Sequence, residues 1–176
     1  MAIIPREEYG DFHENYIKLL PDGEPLDLLK AQTNRFFELY YRIPADKEDY
    51  RYEAGKWSVK EIISHLADTE RIMSYRALRF SRNDTTALPA FDQDLYVSEF
   101  PGAQVSLAEL LSEFRAIRLS TFTLFSNMSA EMLLRKGQAS GHQVSVRALL
   151  GIIAGHERHH AGILVERYGL DMPELD

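Results

Sequence analysis

The chain of 176 residues contains no cysteine. It can therefore form no disulfide, and it can supply neither a thiolate nucleophile nor a sulfur ligand for a metal ion. Nothing in this composition argues for export, so the cytoplasm is the expected compartment. Any nucleophile that the protein uses must come from another side chain, from a bound group or from a substrate.

Long apolar runs and basic patches are missing as well. The longest apolar run covers residues 149–154 and is interrupted by a glycine, whereas a membrane helix needs about 20 residues. The start MAIIPREEYG has no basic region followed by an apolar core, so it does not resemble a signal peptide. The formal net charge of −7 would repel a phosphate backbone. We therefore expect no membrane span and no nucleic-acid partner.

The remaining composition is that of an ordinary globular protein, with 45% apolar and 27% charged residues. A chain of this length can bury a core of its own as one domain. No repeat, low-complexity tract or linker divides it. We predict a single domain over residues 1–176.

Helical periodicity dominates the chain, and the alternation typical of strands is almost absent. A short amphipathic amino-terminal piece places Tyr9, Phe12, Tyr16 and Leu19 on one side, where core packing is a simpler interpretation than a substrate-binding box. A long helix over about residues 26–43 follows. These features predict an all-α fold.

Three further helices begin with one shared pattern, in WSVKEII (57–63), VSLAELL (105–111) and VSVRALL (144–150). The serine is the N-cap, whose hydroxyl accepts a free backbone N–H, and the flanking apolar residues clamp the entry. Glu61 and Glu109 stand at the third helical position and complete capping boxes. These starts are the most specific structural signals in the chain.

The helices so begun are predicted to end near residues 81, 127 and 168. Four long helices without strands predict a four-helix bundle with a short extra amino-terminal helix. The connection over about residues 82–105 is long for a compact domain and is typical of a crossover. Such a crossover lets the second and third helices run parallel.

The segment GHERHHAG (155–162) contains His156, Glu157 and His160 in the H-E-x-x-H spacing of zinc metalloproteases. The two histidines lie 40° apart on an ideal helix and share an apolar stripe. Two inward imidazoles can bind one metal ion, but satisfied core histidines would show the same spacing. The spacing alone leaves both interpretations open.

The protease interpretation fails because no third ligand of the expected kind follows His160 and the chain offers no sheet. An upstream ligand is available in His65, which lies on the border of the apolar stripe of its own helix. Ligands from facing helices of a bundle can converge on one inward site. His65, His156 and His160 would give three nitrogens and leave one position open on a zinc-like ion, as in catalytic sites.

Three segments together resemble the DinB/YfiT-like superfamily, and in particular its YfiT-like branch of metal-dependent hydrolases. They are GKWSVKEIISHLADTERI (55–72), SRNDTTALPAFDQDLYV (81–97) and GHERHHAGILVERYG (155–169). The resemblance covers nearly the whole chain. It implies an up-down-down-up four-helix bundle that forms a homodimer.

The resemblance also implies that His65, His156 and His160 are the ligands of a divalent ion such as zinc or nickel. Members of the superfamily include S-transferases that use the low-molecular-weight thiols bacillithiol, mycothiol or glutathione, and related isomerases. The expected function is therefore metal-dependent transfer of a small thiol to an electrophilic substrate. The alternatives are a metal-dependent hydrolase that activates water and a non-catalytic bundle that binds a small molecule in stress response.

Several neighbours of the three histidines keep two interpretations. Glu157 is either a general base or a solvent-facing side chain, since it is rotated 100° from His156. Asp68 and Glu70 either orient a ligand through a hydrogen bond or solvate their helix. His159, at the margin of the stripe, is not expected to be a ligand.

The cluster Arg76, Arg79 and Arg82 would suit an anionic substrate if it faced a cavity. A charged face that pairs with nearby acids accounts for the same cluster more simply. His13 and His142 have the character of surface or loop residues, and we assign them no role.

Overall fold

The computed structural model describes residues 4–173. The predicted domain, residues 1–176, extends three residues beyond the described range at each end. The first three residues of the segment MAIIPREEYG also lie outside the described residues. The helices are α1 (Glu14–Ile17), α2 (Pro25–Tyr41), α3 (Val59–Ser81), α4 (Gln93–Glu99), α5 (Leu107–Ser126), α6 (Ala130–Leu134) and α7 (Val146–Tyr168). A hairpin of β1 (Lys136–Ala139) and β2 (His142–Ser145) precedes α7. Single 3-10 turns lie at Arg6–Glu8, Asp11–His13, Ala45–Lys47 and Gly102–Gln104.

The three predicted helix starts are confirmed. The Oγ atoms of Ser58 and Ser106 accept the backbone N–H groups of Glu61 and Glu109, each over 3.3 Å, and both glutamates close capping boxes. Ser145 accepts the backbone N–H of the third helical residue of α7 over 3.0 Å. The long helices α3, α5 and α7 therefore begin where their sequences satisfy the free amides of a first turn.

The crossover makes α3 and α5 parallel. Near their starts, Lys60 donates to the carbonyl of Val105 over 3.4 Å. Near their ends, the hydroxyls of Ser74 and Thr121 lie 3.0 Å apart. Contacts therefore advance in the same direction along both helices, while the connection itself contains α4.

The last long helix runs antiparallel to α3 and parallel to α2. The hydroxyl of Tyr168, at the end of α7, donates to the carbonyl of Trp57 just before α3, over 2.5 Å. Gln32, in the middle of α2, donates to the carbonyl of Ala154 over 3.0 Å, and Lys47, just after α2, donates to the carbonyl of Tyr168 over 2.9 Å. These contacts confirm the up-down-down-up order of α2, α3, α5 and α7.

The expectation that the chain offers no sheet needs a small correction. Strands β1 and β2 pair antiparallel around Ser140 and Gly141, whose φ values of 52° and 81° are those of a tight two-residue hairpin turn. Four-residue strands are too short to show alternation, so the sequence pattern could not reveal them. The hairpin is tied to the crossover, because Leu88 donates its N–H to the carbonyl of Gln138 over 2.9 Å.

The amino-terminal segment also differs from its prediction, because only Glu14–Ile17 is α-helical. Tyr9 is buried as expected, whereas Phe12 is 68% exposed. The segment crosses α7 at a glycine: a Cβ atom on Gly155 would lie 2.2 Å from the carbonyl oxygen of Tyr16. This close approach brings Tyr16 against the next residue of α7, His156, with ring centroids 5.1 Å apart.

The core consists of two apolar clusters with a layer of buried polar side chains between them. One cluster lies around Leu29, Phe80, Phe125 and Ile152, and the other around Phe36, Ile63, Phe114 and Leu164. The layer between the two clusters receives buried polar side chains from each of the four long helices. They are Gln32, Thr69, Glu70, Arg118, Thr121, His156, Glu157 and His160. No helix in the described part of the chain is long and apolar enough to cross a membrane.

Candidate metal centre

The three predicted histidines converge. The Nε2 atoms of His65 and His156 lie 2.9 Å apart, and one ring nitrogen from each of His65, His156 and His160 lies within 4.8 Å of the other two. The ring centroids are 4.6–5.0 Å apart. All three side chains are buried, with exposed fractions of 4%, 5% and 8%.

Two helices account for this convergence. His65 follows the Ser58 cap of α3 by two turns, and α7 passes it in the opposite direction. His156 and His160 are one turn apart on α7, so their rings lie one above the other on the same face. The site therefore joins residues that are 91 positions apart in the chain.

Burial keeps the three imidazoles neutral. It lowers the pKa of His65 to about 4 and the pKa values of His156 and His160 well below 6.5, and the neighbouring histidines add to the shift because two imidazolium charges would repel. The Nδ1 atom of His160 is buried without a hydrogen-bond partner among the described residues. Neutral, facing, incompletely paired imidazoles are the donor set that a divalent transition-metal ion requires, so these residues fit such an ion.

Aromatic rings hold the histidines in place. Trp57 packs against His65 at 4.8 Å and stacks on His160 at 6.4 Å between ring centroids. Tyr16 contacts His156 at 5.1 Å and His159 at 5.5 Å. His159 is only partly buried and lies outside the cluster of ring nitrogens. This position agrees with the prediction that His159 is not a ligand.

Glu157 does not face solvent, so that interpretation is wrong. It is 1% exposed; its Oε2 atom accepts from Gln32 over 2.7 Å and pairs with Arg118 over 3.1 Å. Glu157 is rotated by 100° from His156 around α7. That side of α7 packs against α2 and α5, so Glu157 is buried there. Glu157 is thus held by a cation, with no hydrogen bond to the three histidines.

Glu70 shares that cation. Arg118 donates to both carboxylate oxygens of Glu70 over 2.8–3.0 Å. Burial disfavours the Arg118 cation, but the charges of Glu157 and Glu70 outweigh it and raise the pKa of Arg118. Burial raises the pKa of Glu157, against the effect of Arg118. Glu70 therefore belongs to a buried ion triad and does not orient His65, while Asp68 pairs with Arg71 over 3.6 Å at the surface.

The centre borders two cavities. His65 and His156 line one of about 280 Å³, which also contacts Tyr16 and Arg76. His160 lines another of about 260 Å³ together with Trp57, Tyr168 and Asp94. A larger cavity of about 580 Å³, between α3, α4 and α5, touches none of the three histidines. The two smaller cavities therefore give access to the centre.

The first cavity includes residues to which the sequence gave no role. His13 and His142 both line it, one from the amino-terminal segment and the other from the hairpin. Burial lowers the pKa of His13 to about 4. Neither residue stands at a spacing that relates it to α3 or α7, so no sequence signal could have placed them there.

The arginine cluster of α3 divides. Arg79 pairs with Asp84 and Arg82 is exposed, as expected for a charged face. Arg76 is buried and lines the first cavity. The two interpretations of the cluster therefore apply to different members.

The protein is thus a helical bundle of up-down-down-up order. Its interior contains three convergent, neutral imidazoles that border two cavities. The sequence profile of the DinB superfamily matches residues 28–164. The chain belongs to the DinB superfamily, as its sequence segments indicated.

Individual relatives agree with this assignment. A protein of Oceanobacillus iheyensis that carries the provisional name of a metal-dependent hydrolase is 24% identical over 141 residues, or 78% of this chain and 79% of that protein. YfiT from Bacillus subtilis, described as a probable metal-dependent hydrolase with an unusual four-helix bundle topology, superposes with a TM-score of 0.70 at 18% identity, covering 97% and 95% of the two chains.

Two further structures share the fold. A mycothiol-dependent maleylpyruvate isomerase has a TM-score of 0.69 at 15% identity over 88% of this chain, which spans 65% of that isomerase. The DinB-like protein YjoA from Bacillus subtilis has a TM-score of 0.60 at 20% identity, with 86% and 96% of the chains covered.

Proposed function

We propose that this protein is a metal-dependent enzyme in which His65, His156 and His160 hold a divalent ion, zinc or nickel, and which transfers a low-molecular-weight thiol to an electrophilic substrate. The observation that supports the metal site is the convergence of three buried, neutral imidazoles beside two cavities. The names of two relatives as metal-dependent hydrolases agree with it.

Bound in this site, a divalent cation would lower the pKa of an incoming thiol or water. The chain itself supplies neutral ligands, since burial removes the competing protons from the imidazoles. Trp57 and Tyr16 fix the orientation of the rings through their edge and face contacts. Because the three histidines are buried, a charged nucleophile would interact with the site more strongly than in water.

The chemistry of the nucleophile supports a thiol in preference to water. A thiol with a pKa near ~8.5 needs only a modest shift to ionise near neutral pH, whereas water, at about 15.7, needs a much larger one. The mycothiol dependence of one structural neighbour agrees with this choice.

Hydrolysis is the second candidate, because two relatives are described as hydrolases. A hydrolase needs a group that accepts a proton from water. Asp94 is a carboxylate that lines the second cavity together with His160. In a hydrolase, Asp94 would receive the proton of the attacking water. Asp94→Asn should then abolish ester or amide hydrolysis while leaving thiol transfer intact.

The metal site is tested by elemental analysis of protein purified without added metal and of protein loaded with zinc or nickel. We expect about one ion per chain in the native protein and a loss of that ion in His65→Ala, His156→Ala and His160→Ala. His159→Ala is the matched control, because it removes an imidazole next to the cluster and should retain the ion. Unchanged metal content in the three cluster variants would refute the site.

The reaction is tested by adding a panel of small thiols and a generic electrophile to metal-loaded protein. We expect thiol consumption above the uncatalysed rate in the native protein and none in His156→Ala. Ester hydrolysis without thiol transfer would favour the second candidate. A metal-loaded protein that accelerates neither reaction would favour a non-catalytic, small-molecule-binding bundle.

We also propose that the protein is a homodimer. Exposed apolar side chains on α3 and α5, namely Tyr75, Leu78 and Leu119, support an interface on these helices. Light scattering should give twice the chain mass of 20.2 kDa. Leu119→Glu should shift the protein to monomer, whereas a single-chain mass for the native protein would refute the dimer.

A further inference from the structure

Arg76 is a buried cation without an acidic partner. It is 3% exposed, and no carboxylate of the described residues lies within 4.0 Å of its guanidinium. Its Nη2 atom donates to the carbonyl of Pro89 and to the hydroxyl of Ser140, each over 2.9 Å, and its Nη1 atom reaches only the sulfur of Met73, at 3.7 Å. A charge removed from water in this way is costly unless an opposite charge meets it.

The same chain shows what a purely structural buried arginine requires. Arg118 is 1% exposed, and it is neutralised by the carboxylates of Glu70 and Glu157. Arg76 is almost as deeply buried but has only neutral acceptors. Burial alone lowers the pKa of Arg76, with no compensating acid. An anion that binds beside Arg76 would offset this cost.

The guanidinium of Arg76 borders the cavity that reaches the metal centre. That cavity of about 280 Å³ is shared by Arg76, His65 and His156, so a single small molecule can contact all three. Its wall also contains Phe91, whose ring lies 5.9 Å from the guanidinium carbon. Positive charge stands at one side of the cavity, and the histidines stand at another.

We propose that Arg76 binds the carboxylate of a small organic substrate whose apolar body lies against Phe91 and Met73 and whose reactive part faces His65 and His156. This inference rests on the proposed function for the reaction, but not for the binding of the anion. It names a substrate class, monocarboxylates with an apolar body, and a residue that determines specificity.

The charge and the shape of the site favour a carboxylate. The unpaired guanidinium favours an anion, and Phe91 and Met73 beside it favour an anion that carries an apolar body, which inorganic phosphate does not have. The Nη1 atom, which reaches only the sulfur of Met73, has N–H groups that a carboxylate oxygen can accept. The hydroxyl of Ser140 lies beside Nη2 and can donate to the same anion.

A structural role for Arg76 makes a different prediction. Its bonds to Pro89 and Ser140 join α3 to the crossover and to the hairpin turn. If that connection were its whole purpose, removal of the guanidinium would lower the stability of the ligand-free protein and leave carboxylate binding unchanged. Removal of an uncompensated charge should instead leave the melting temperature unchanged or raise it.

The experiment measures binding of 3-phenylpropionate to the full-length, zinc-loaded protein by calorimetry. We expect saturable binding by the native protein, and a rise of about ten- to a hundredfold in the dissociation constant for Arg76→Met. Arg76→Lys, which keeps the charge without the planar fork, should weaken binding less. Arg79→Met is the matched control: it lies one turn along α3, pairs with Asp84, and should leave binding unchanged.

Two further probes separate recognition of a carboxylate from binding of the apolar body alone and from binding of any anion. The neutral amide 3-phenylpropionamide should bind far more weakly than the acid, and inorganic phosphate should fail to displace the acid. Equal binding of acid and amide, or displacement by phosphate at lower concentration, would overturn the assignment. So would an unchanged dissociation constant for Arg76→Met combined with a lower melting temperature.

This outcome is distinguishable from that of the proposed function. Protein stripped of metal by a chelator, with all three histidines in place, should still bind the carboxylate through Arg76, with a dissociation constant changed at most a few-fold. A protein that holds zinc and transfers thiols but does not bind the acid would refute only the present inference. A protein that binds the acid through Arg76 but holds no metal would refute only the proposed function.

Discussion

The ion triad of Arg118, Glu70 and Glu157 yields a sharp stability prediction. In Arg118→Met, two buried carboxylates lose the cation that, among the described residues, lies within 4.0 Å of both. Breaking a buried ion network from one side costs about 3–5 kcal/mol. With an unfolding entropy of about 2.1 cal/mol/K per residue, a chain of 176 residues should then melt about 8–14 °C lower.

The deficit should depend on pH in a defined direction. Burial and the charge of Glu70 raise the folded-state pKa of Glu157, and without the arginine nothing opposes that rise. A group whose pKa is higher in the folded state contributes its full stability only below its unfolded pKa. That contribution to the free energy of unfolding is lost as the pH rises through the folded-state pKa. The difference between variant and native protein should therefore be largest near neutral pH and shrink as pH falls towards 4.5.

The assay is urea unfolding followed by circular dichroism between pH 4.5 and 8. Arg115→Met is the control, because it removes an exposed arginine from the same helix and should change the free energy of unfolding by less than about 0.5 kcal/mol. The triple variant that adds Glu70→Gln and Glu157→Gln should recover much of the loss, since it buries no charge. A cost below about 1 kcal/mol for Arg118→Met at pH 7, or a triple variant no more stable than the single one, would refute the reasoning.

Three further perturbations test how α7 and α3 are held. Gly155→Ala should destabilise the protein by about 1–3 kcal/mol in urea unfolding, because its Cβ would meet a backbone carbonyl at 2.2 Å, whereas Gly162→Ala on the same helix meets nothing within 4 Å and should gain up to about 1 kcal/mol; equal effects would contradict the close approach. Glu8 accepts from Arg147, which lowers its pKa, so Glu8→Gln should cost about 1–2 kcal/mol above pH 4.5, a deficit that disappears as pH falls through the lowered pKa; a constant deficit would mean that the charge is irrelevant. Ser58→Ala should cost about 1 kcal/mol in the same assay through loss of the α3 cap, and no change would show that the cap is redundant.

The elements that the sequence predicted well are those governed by local rules. A serine followed by a glutamate three residues later satisfies free amides whatever the rest of the chain does, so the starts of α3 and α5 could be placed to the residue. His156 and His160 share a face because a helix fixes their angle. His65 joined them because a bundle has only one interior towards which apolar stripes can turn.

Sequence analysis could not predict features that depend on which helices pack over a given residue. Periodicity left Glu157 open between a general base and a solvent-facing side chain, because it gives an angle from His156 but not the neighbour at that angle, which is α2. The hairpin escaped because β1 and β2 have four residues each. The burial of Arg118 could have been predicted, because Arg118 lies on the same helical stripe as Phe114 and Phe125, and the structure buries all three.

The polar layer shows why the protein tolerates so many buried charges. The two apolar clusters above and below it form independent contacts among α2, α3, α5 and α7, so the bundle does not need the layer for cohesion. Within the layer, the side facing α2 and α5 is electrostatically complete, since Arg118 is matched by two carboxylates. On the opposite side, His65, His156 and Arg76 line a cavity, and no carboxylate of the described residues pairs with Arg76. Because the apolar clusters hold the helices together, the bundle can present such polar side chains to a cavity without losing its fold, and buried polar groups that converge on a cavity are the organisation expected of a binding site.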